Sequence, residues 1–187
     1  MKPSTLPGTT IETDLTTGAA DRQLRPMFFG GGLVLSQICQ LTGLEGHTIH
    51  NWVKRKLLPP PENKKYTRNQ LCRILNINML KDTFTLEHAV TLLNHINRGL
   101  GHTTGDFIDD SRLYTYLVDC LAVLNNSGRP DFSCIGDTVK AVTSGYRSPH
   151  RSAEIQLWLV LEIMLTAWHA QQIHRQSLEM FRRLDNM

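Results

Sequence analysis

The chain of 187 residues is short of the features that mark most enzymes and secreted or membrane proteins. Its four cysteines, Cys39, Cys72, Cys120 and Cys134, are widely spaced, and no C-x-x-C pair occurs. That spacing argues against a disulfide framework and against a thiolate zinc site; reduced thiols of a cytoplasmic protein are expected. The start of the chain has no apolar h-region of a secretory signal. The longest apolar run, "IQLWLVLEIMLTAW" (155–168), is too short to span a membrane and carries Glu162. No G-x-S-x-G, Walker or dinucleotide-binding pattern is present, so enzymatic activity is not expected. No cofactor is expected either. His47 and His50, and His169 and His174, have no cysteine or carboxylate companions at zinc spacing. Cys120 and Cys134 lack the companions a metal sensor needs, and buried structural thiols are the expectation.

Net charge is also small, at +3, but it is unevenly placed. Between Ser36 and Lys81 eight basic residues face two acidic ones, a net of +6, which leaves −3 for the rest. A basic segment in an otherwise mildly acidic chain points to a polyanionic partner.

The apolar pattern is mainly helical. Residues 1–27, rich in Thr, Gly and Pro and without periodicity, read as a flexible tail. "SQICQLT" predicts a short helix with Ser36 as its N-cap and Gly43 as a left-handed stop. A second helix is predicted over about 46–56. Ile49, Trp52 and Val53 face inward, and the prolines at 59–61 forbid continuation. "ENKKYT" has the length and polarity of a tight hairpin. Thr67 and Thr85 are expected to cap two further helices, the first with Leu71, Ile74, Leu75, Asn78 and Met79 inward, the second with Leu86, Val90, Leu93 and Ile96 inward. Residues 99–110 read as a linker. Asp106, Asp109 and Asp110 are expected to cap the helix after it rather than to form an acid–base or metal cluster. Residues 111–187 predict an all-helical bundle ending in one long helix from near Pro149 to about Leu184.

Thr42-Gly43, Thr48-Ile49-His50-Asn51-Trp52, Leu57-Leu58-Pro59-Pro60, Tyr66-Thr67 and Leu86-Glu87 occur in an order and spacing that resembles the DNA-binding domain of MerR-type regulators. The likeness covers about a third of the chain, within 28–98. "NWVKRK", "KKYTR" and "INMLKD" further resemble an uncharacterised family of MerR-like bacterial proteins, a domain of unknown function. The resemblance implies a winged helix-turn-helix with a helical C-terminal region that dimerises. Double-stranded DNA is then the expected partner, in a homodimeric transcriptional regulator. It implies Thr48, His50, Asn51, Lys54 and Arg55 as groove-helix contacts and Lys64 and Lys65 as wing contacts. Ser36 and Gln37 would offer a helix N-terminus to a phosphate, and Tyr66 and Arg68 complete the set. One position departs: MerR-type chains usually carry Arg where this chain has His50, and a neutral His makes a weaker phosphate contact. Two alternatives stay open: an adaptor that keeps the fold without reading DNA, and a sensor that holds a small-molecule effector in its helical bundle.

Overall fold

The structure is a computed structural model and describes residues 4–96, 108–126, 132–147 and 151–185. It is mainly helical, with eight α-helices and two minimal two-stranded sheets among these residues. The elements run β1 (Ser4–Thr5), β2 (Glu12–Thr13), α1 (Ala19–Leu24), β3 (Leu33–Val34), α2 (Leu35–Thr42), α3 (Gly46–Lys54), β4 (Lys65–Tyr66), α4 (Arg68–Leu80), α5 (Leu86–Asn94), α6 (Asp110–Asn126), α7 (Ile135–Val142) and α8 (Arg151–Asp185). Two single 3-10 turns, Arg25–Phe28 and Phe132–Cys134, precede β3 and α7.

α4 is the axis of the fold. Its periodic Leu71, Ile74, Leu75 and Met79 are buried, and so are Cys72 and Ile77 on its other side. α2, α5, α6 and α8 all pack on it, which a helix buried all round requires. Its start is set as the sequence predicts: Thr67 Oγ1 accepts from Gln70 N at 3.2 Å, and Gln70 Oε1 accepts from Thr67 N at 2.8 Å. Thr85 likewise caps α5, accepting from His88 N.

Three expectations change. First, residues 4–27 are not a tail. Leu6, Leu15, Ala19, Ala20 and Leu24 are buried. Tyr114 Oη donates to Pro7 O at 2.7 Å, Asn78 Nδ2 to Gly8 O at 2.8 Å and Gly18 N to Asp119 Oδ1 at 2.7 Å. The segment is a strap over α2, α4 and α6 with too little regular structure to show a period. Gly8, at φ 71°, lets it approach: a Cβ there would stand 2.3 Å from the Leu75 carbonyl oxygen.

Second, the division at 99–110 does not separate two cores. Residues 99–107 lie outside the described residues, but Ile108 and Asp110 are buried and α6 packs extensively on α4. Apolar residues from both halves form one cluster. Asp109 is the cap the sequence predicts, accepting from Arg112 N at 2.7 Å. Asp110 instead turns inward to Arg73, 3.6 Å away; Asp106 lies outside the described residues.

Third, α2 starts two residues early. Val34 is its N-cap and Ser36 sits in the first turn. α8 matches the predicted final helix and is 35 residues long.

Candidate nucleic-acid interface

α2 and α3 are joined by a turn of minimal length. Gly43 takes φ 69°, its N–H donates to Cys39 O at 2.8 Å, and buried Leu44 holds the corner. α3 buries Ile49 and Trp52, so the core fixes its rotation. His50, Asn51 and Lys54 are therefore exposed, with Thr48 half-buried at the edge of the same face. α3 stops before the prolines. Lys56 adopts φ 57°, and Leu57 N donates back to Trp52 O at 2.9 Å, so a left-handed lysine ends the helix. Pro59 and Pro60 then present their carbonyls to Gln70 Nε2.

The "ENKKYT" stretch is a tight turn. Asn63 and Lys64 have φ 48° and 62°, and Lys65 N donates to Glu62 O at 2.8 Å. Two successive left-handed residues are the type I′ pattern, which Asn favours. The emerging β4 pairs antiparallel with β3, Leu33 opposite Tyr66. The short wing is thereby tied to the start of α2.

These connections bring part of the predicted set together. Ser36, His50, Lys64 and Tyr66 line one open cleft with Val34, Leu35 and Pro61. Lys65 is exposed and its Nζ reaches Gly30 O at 3.3 Å. Other members are committed elsewhere. Gln37 Oε1 accepts from Val34 N at 2.9 Å and so serves the helix start. Arg55 pairs with Glu87 on α5; the Glu87 backbone N–H and this guanidinium hold that carboxyl below the usual carboxylate range. Arg68 pairs with Asp21 of the strap. Tyr66 is buried at the foot of the wing, and burial pushes its hydroxyl above the ordinary tyrosine value, so it keeps its proton. Trp52 is core, as expected.

Sequence reasoning missed Phe29. It is 83% exposed on the loop before β3, next to the Gly30 carbonyl that Lys65 touches. Phe29 in "FFGGG" carries no periodic signal, and only exposure marks it.

Among the described residues no group of three His, Cys, Asp or Glu side chains is placed to hold a metal ion. No disulfide links the four cysteines. Cys120 is buried, and burial pushes its thiol up to about 12. No helix among the described residues is long and apolar enough to cross a membrane.

Residues 6–117 match the family model described as a domain of unknown function, DUF1836. The chain belongs to the DUF1836 family. It is also similar to the uncharacterized protein YkrK of Bacillus subtilis (strain 168), with 31% identity over 151 residues. That alignment covers 76% of this chain and 65% of YkrK, so the chain spans somewhat less than two thirds of the relative's length. No solved structure matches.

The DUF1836 match takes in the strap, the α2–α3 pair, the wing, α4, α5 and the first half of α6. It supports treating the strap as part of the same unit as the basic segment. Every predicted contact residue lies inside it; α7 and α8 lie outside.

Proposed function

We propose that this DUF1836 protein is a cytoplasmic, sequence-specific duplex-DNA-binding regulator with a winged helix-turn-helix of the MerR type, working as a two-fold dimer without enzymatic activity. In this reading α3 enters the major groove and His50, Asn51 and Lys54 meet base edges and flanking phosphates. Lys64 and Lys65 rest on the backbone and set the register. Ser36, in the first turn of α2, faces a phosphate beside them.

One observation carries the reading. His50 on the exposed polar face of α3, the wing lysine Lys64 and Ser36 in the first turn of α2 border the same cleft, in the segment whose net charge is +6. Burial of Ile49 and Trp52 leaves that face no alternative orientation. The contact set is smaller than the resemblance implies, because Gln37, Arg55, Tyr66 and Arg68 already have internal roles. Exposed Phe29 beside the wing is a candidate apolar contact with the sugar-phosphate edge.

Selection of bound sequences from a random duplex library tests the reading. The expected result is enrichment of one motif, with affinity that falls steeply as salt rises. Recovery of no motif, with no salt-dependent duplex binding, would refute it.

A further inference from the structure

α8 is apolar on two opposite faces. Leu157, Leu161, Met164, Leu165 and Trp168 are buried against the rest of the chain. A helix at the edge of a finished monomer turns polar on its far side. This one does not: Ile155, Leu159, Ile173, Met180, Phe181 and Leu184 are between 52% and 68% exposed. At helical spacing these six side chains fall within an arc of about 100°, opposite the buried face.

The stripe has two unlike ends. Near its start, Leu159, Ile163, Ala167 and Ala170 line an open apolar groove with Phe84 of the α4–α5 turn. From Ile173 to Asp185 every side chain is exposed. That stretch is a projecting tail about 20 Å long. A groove and a protruding apolar tail on one face of one helix are self-complementary.

We propose that a second copy of this chain covers this face, with the two α8 helices antiparallel and the tail of each in the groove of the other. The proposal deepens the two-fold reading above by naming its surface and orientation. A two-fold axis near Ala170 sets Met180 and Phe181 against Leu159 of the other copy, and Leu184 against Ile155. Six half-exposed side chains of roughly 100 Å² each remove on the order of 600 Å² per copy, or about 1,200 Å² in all, which reaches the size of a stable specific interface. Parallel helices would lay tail on tail and leave both grooves open.

Sedimentation equilibrium on the full chain tests the pairing. A two-chain species is expected, and Met180→Glu with Phe181→Glu should raise the self-association Kd more than 100-fold while circular dichroism stays unchanged. Orientation is read by cysteine cross-linking: a mixture of Leu159→Cys and Met180→Cys chains should give a linked pair, and Leu184→Cys alone should not. A single-chain species at about 100 μM, a two-chain species that survives the double substitution, or self-linkage through Leu184→Cys overturns the proposal. Duplex binding measured on the same samples separates the two claims. A dimer that binds no duplex sinks the DNA reading alone, and a monomer that binds duplex sinks this one alone.

Discussion

Replacing Arg73 by Met should cost about 3–5 kcal/mol of stability at pH 7.5, the range for stranding one member of a buried ion pair. Arg73 on α4 and Asp110 on α6 are both buried, and the Arg73 guanidinium also donates to Asn94 Oδ1 on α5 at 2.5 Å. Asp110 Oδ1 stands 3.6 Å from Arg73 and accepts no hydrogen bond itself. Burial therefore outweighs the pull of Arg73 and Asn76 and raises the Asp110 carboxyl from 3.8 to about 6. In the native protein that difference corresponds to about 3 kcal/mol. Its sign is fixed: the folded state holds a proton that the unfolded chain releases, so this contribution is full below pH 3.8 and is lost as pH rises through about 6. Without Arg73 the carboxyl should hold its proton to still higher pH. The penalty of Arg73→Met should then fall by more than half at pH 5, where Asp110 is neutral. Arg73→Met with Asp110→Leu should return to within about 1 kcal/mol of the parent. Urea denaturation at pH 5 and pH 7.5 measures all three. A penalty below about 1 kcal/mol at pH 7.5, or an equal penalty at both pH values, would refute the reasoning.

Two other changes probe single features. Gly8→Ala drives a Cβ into the Leu75 carbonyl and forces a left-handed alanine, so a loss of more than about 2 kcal/mol is expected; an unchanged denaturation midpoint would mean that the strap is not seated on α4. Lys56→Gly relieves a left-handed lysine at the end of α3 and should stabilise by about 0.5–1 kcal/mol, read as a rise in Tm of a few degrees.

Helices with a caps-and-period signature were legible in the sequence. α4 and α5 begin one residue after Thr67 and Thr85, because a threonine cap and an apolar repeat are both local. Gly43 was legible for the same reason. The strap was not, because it is held by residues far along the chain: Tyr114 bonds Pro7, Asn78 bonds Gly8 and Asp119 bonds Gly18. Nor was the common core, since α6 docks on α4 across a glycine-rich stretch that reads as a boundary. Within the candidate interface, the exposed face of α3 followed from the burial of Ile49 and Trp52. The pairing of Arg55 with Glu87 and of Arg68 with Asp21 did not, because a positive charge on a sequence carries no record of a partner 32 or 47 residues away. His50, the departure from the expected arginine, lies in the cleft with Lys64, which supplies a cation there.

The most direct measurement is fluorescence anisotropy of the full chain with its selected duplex, over a salt series, for the parent, for Lys54→Ala with Lys64→Ala, and for Arg55→Ala. The account predicts salt-sensitive binding, at least tenfold weaker in the double variant with a shallower salt slope, by about two for each chain bound. Arg55→Ala should change affinity less than threefold, because Arg55 is held by Glu87. Equal binding by the parent and the double variant, or a larger loss from Arg55→Ala than from the pair, would contradict it.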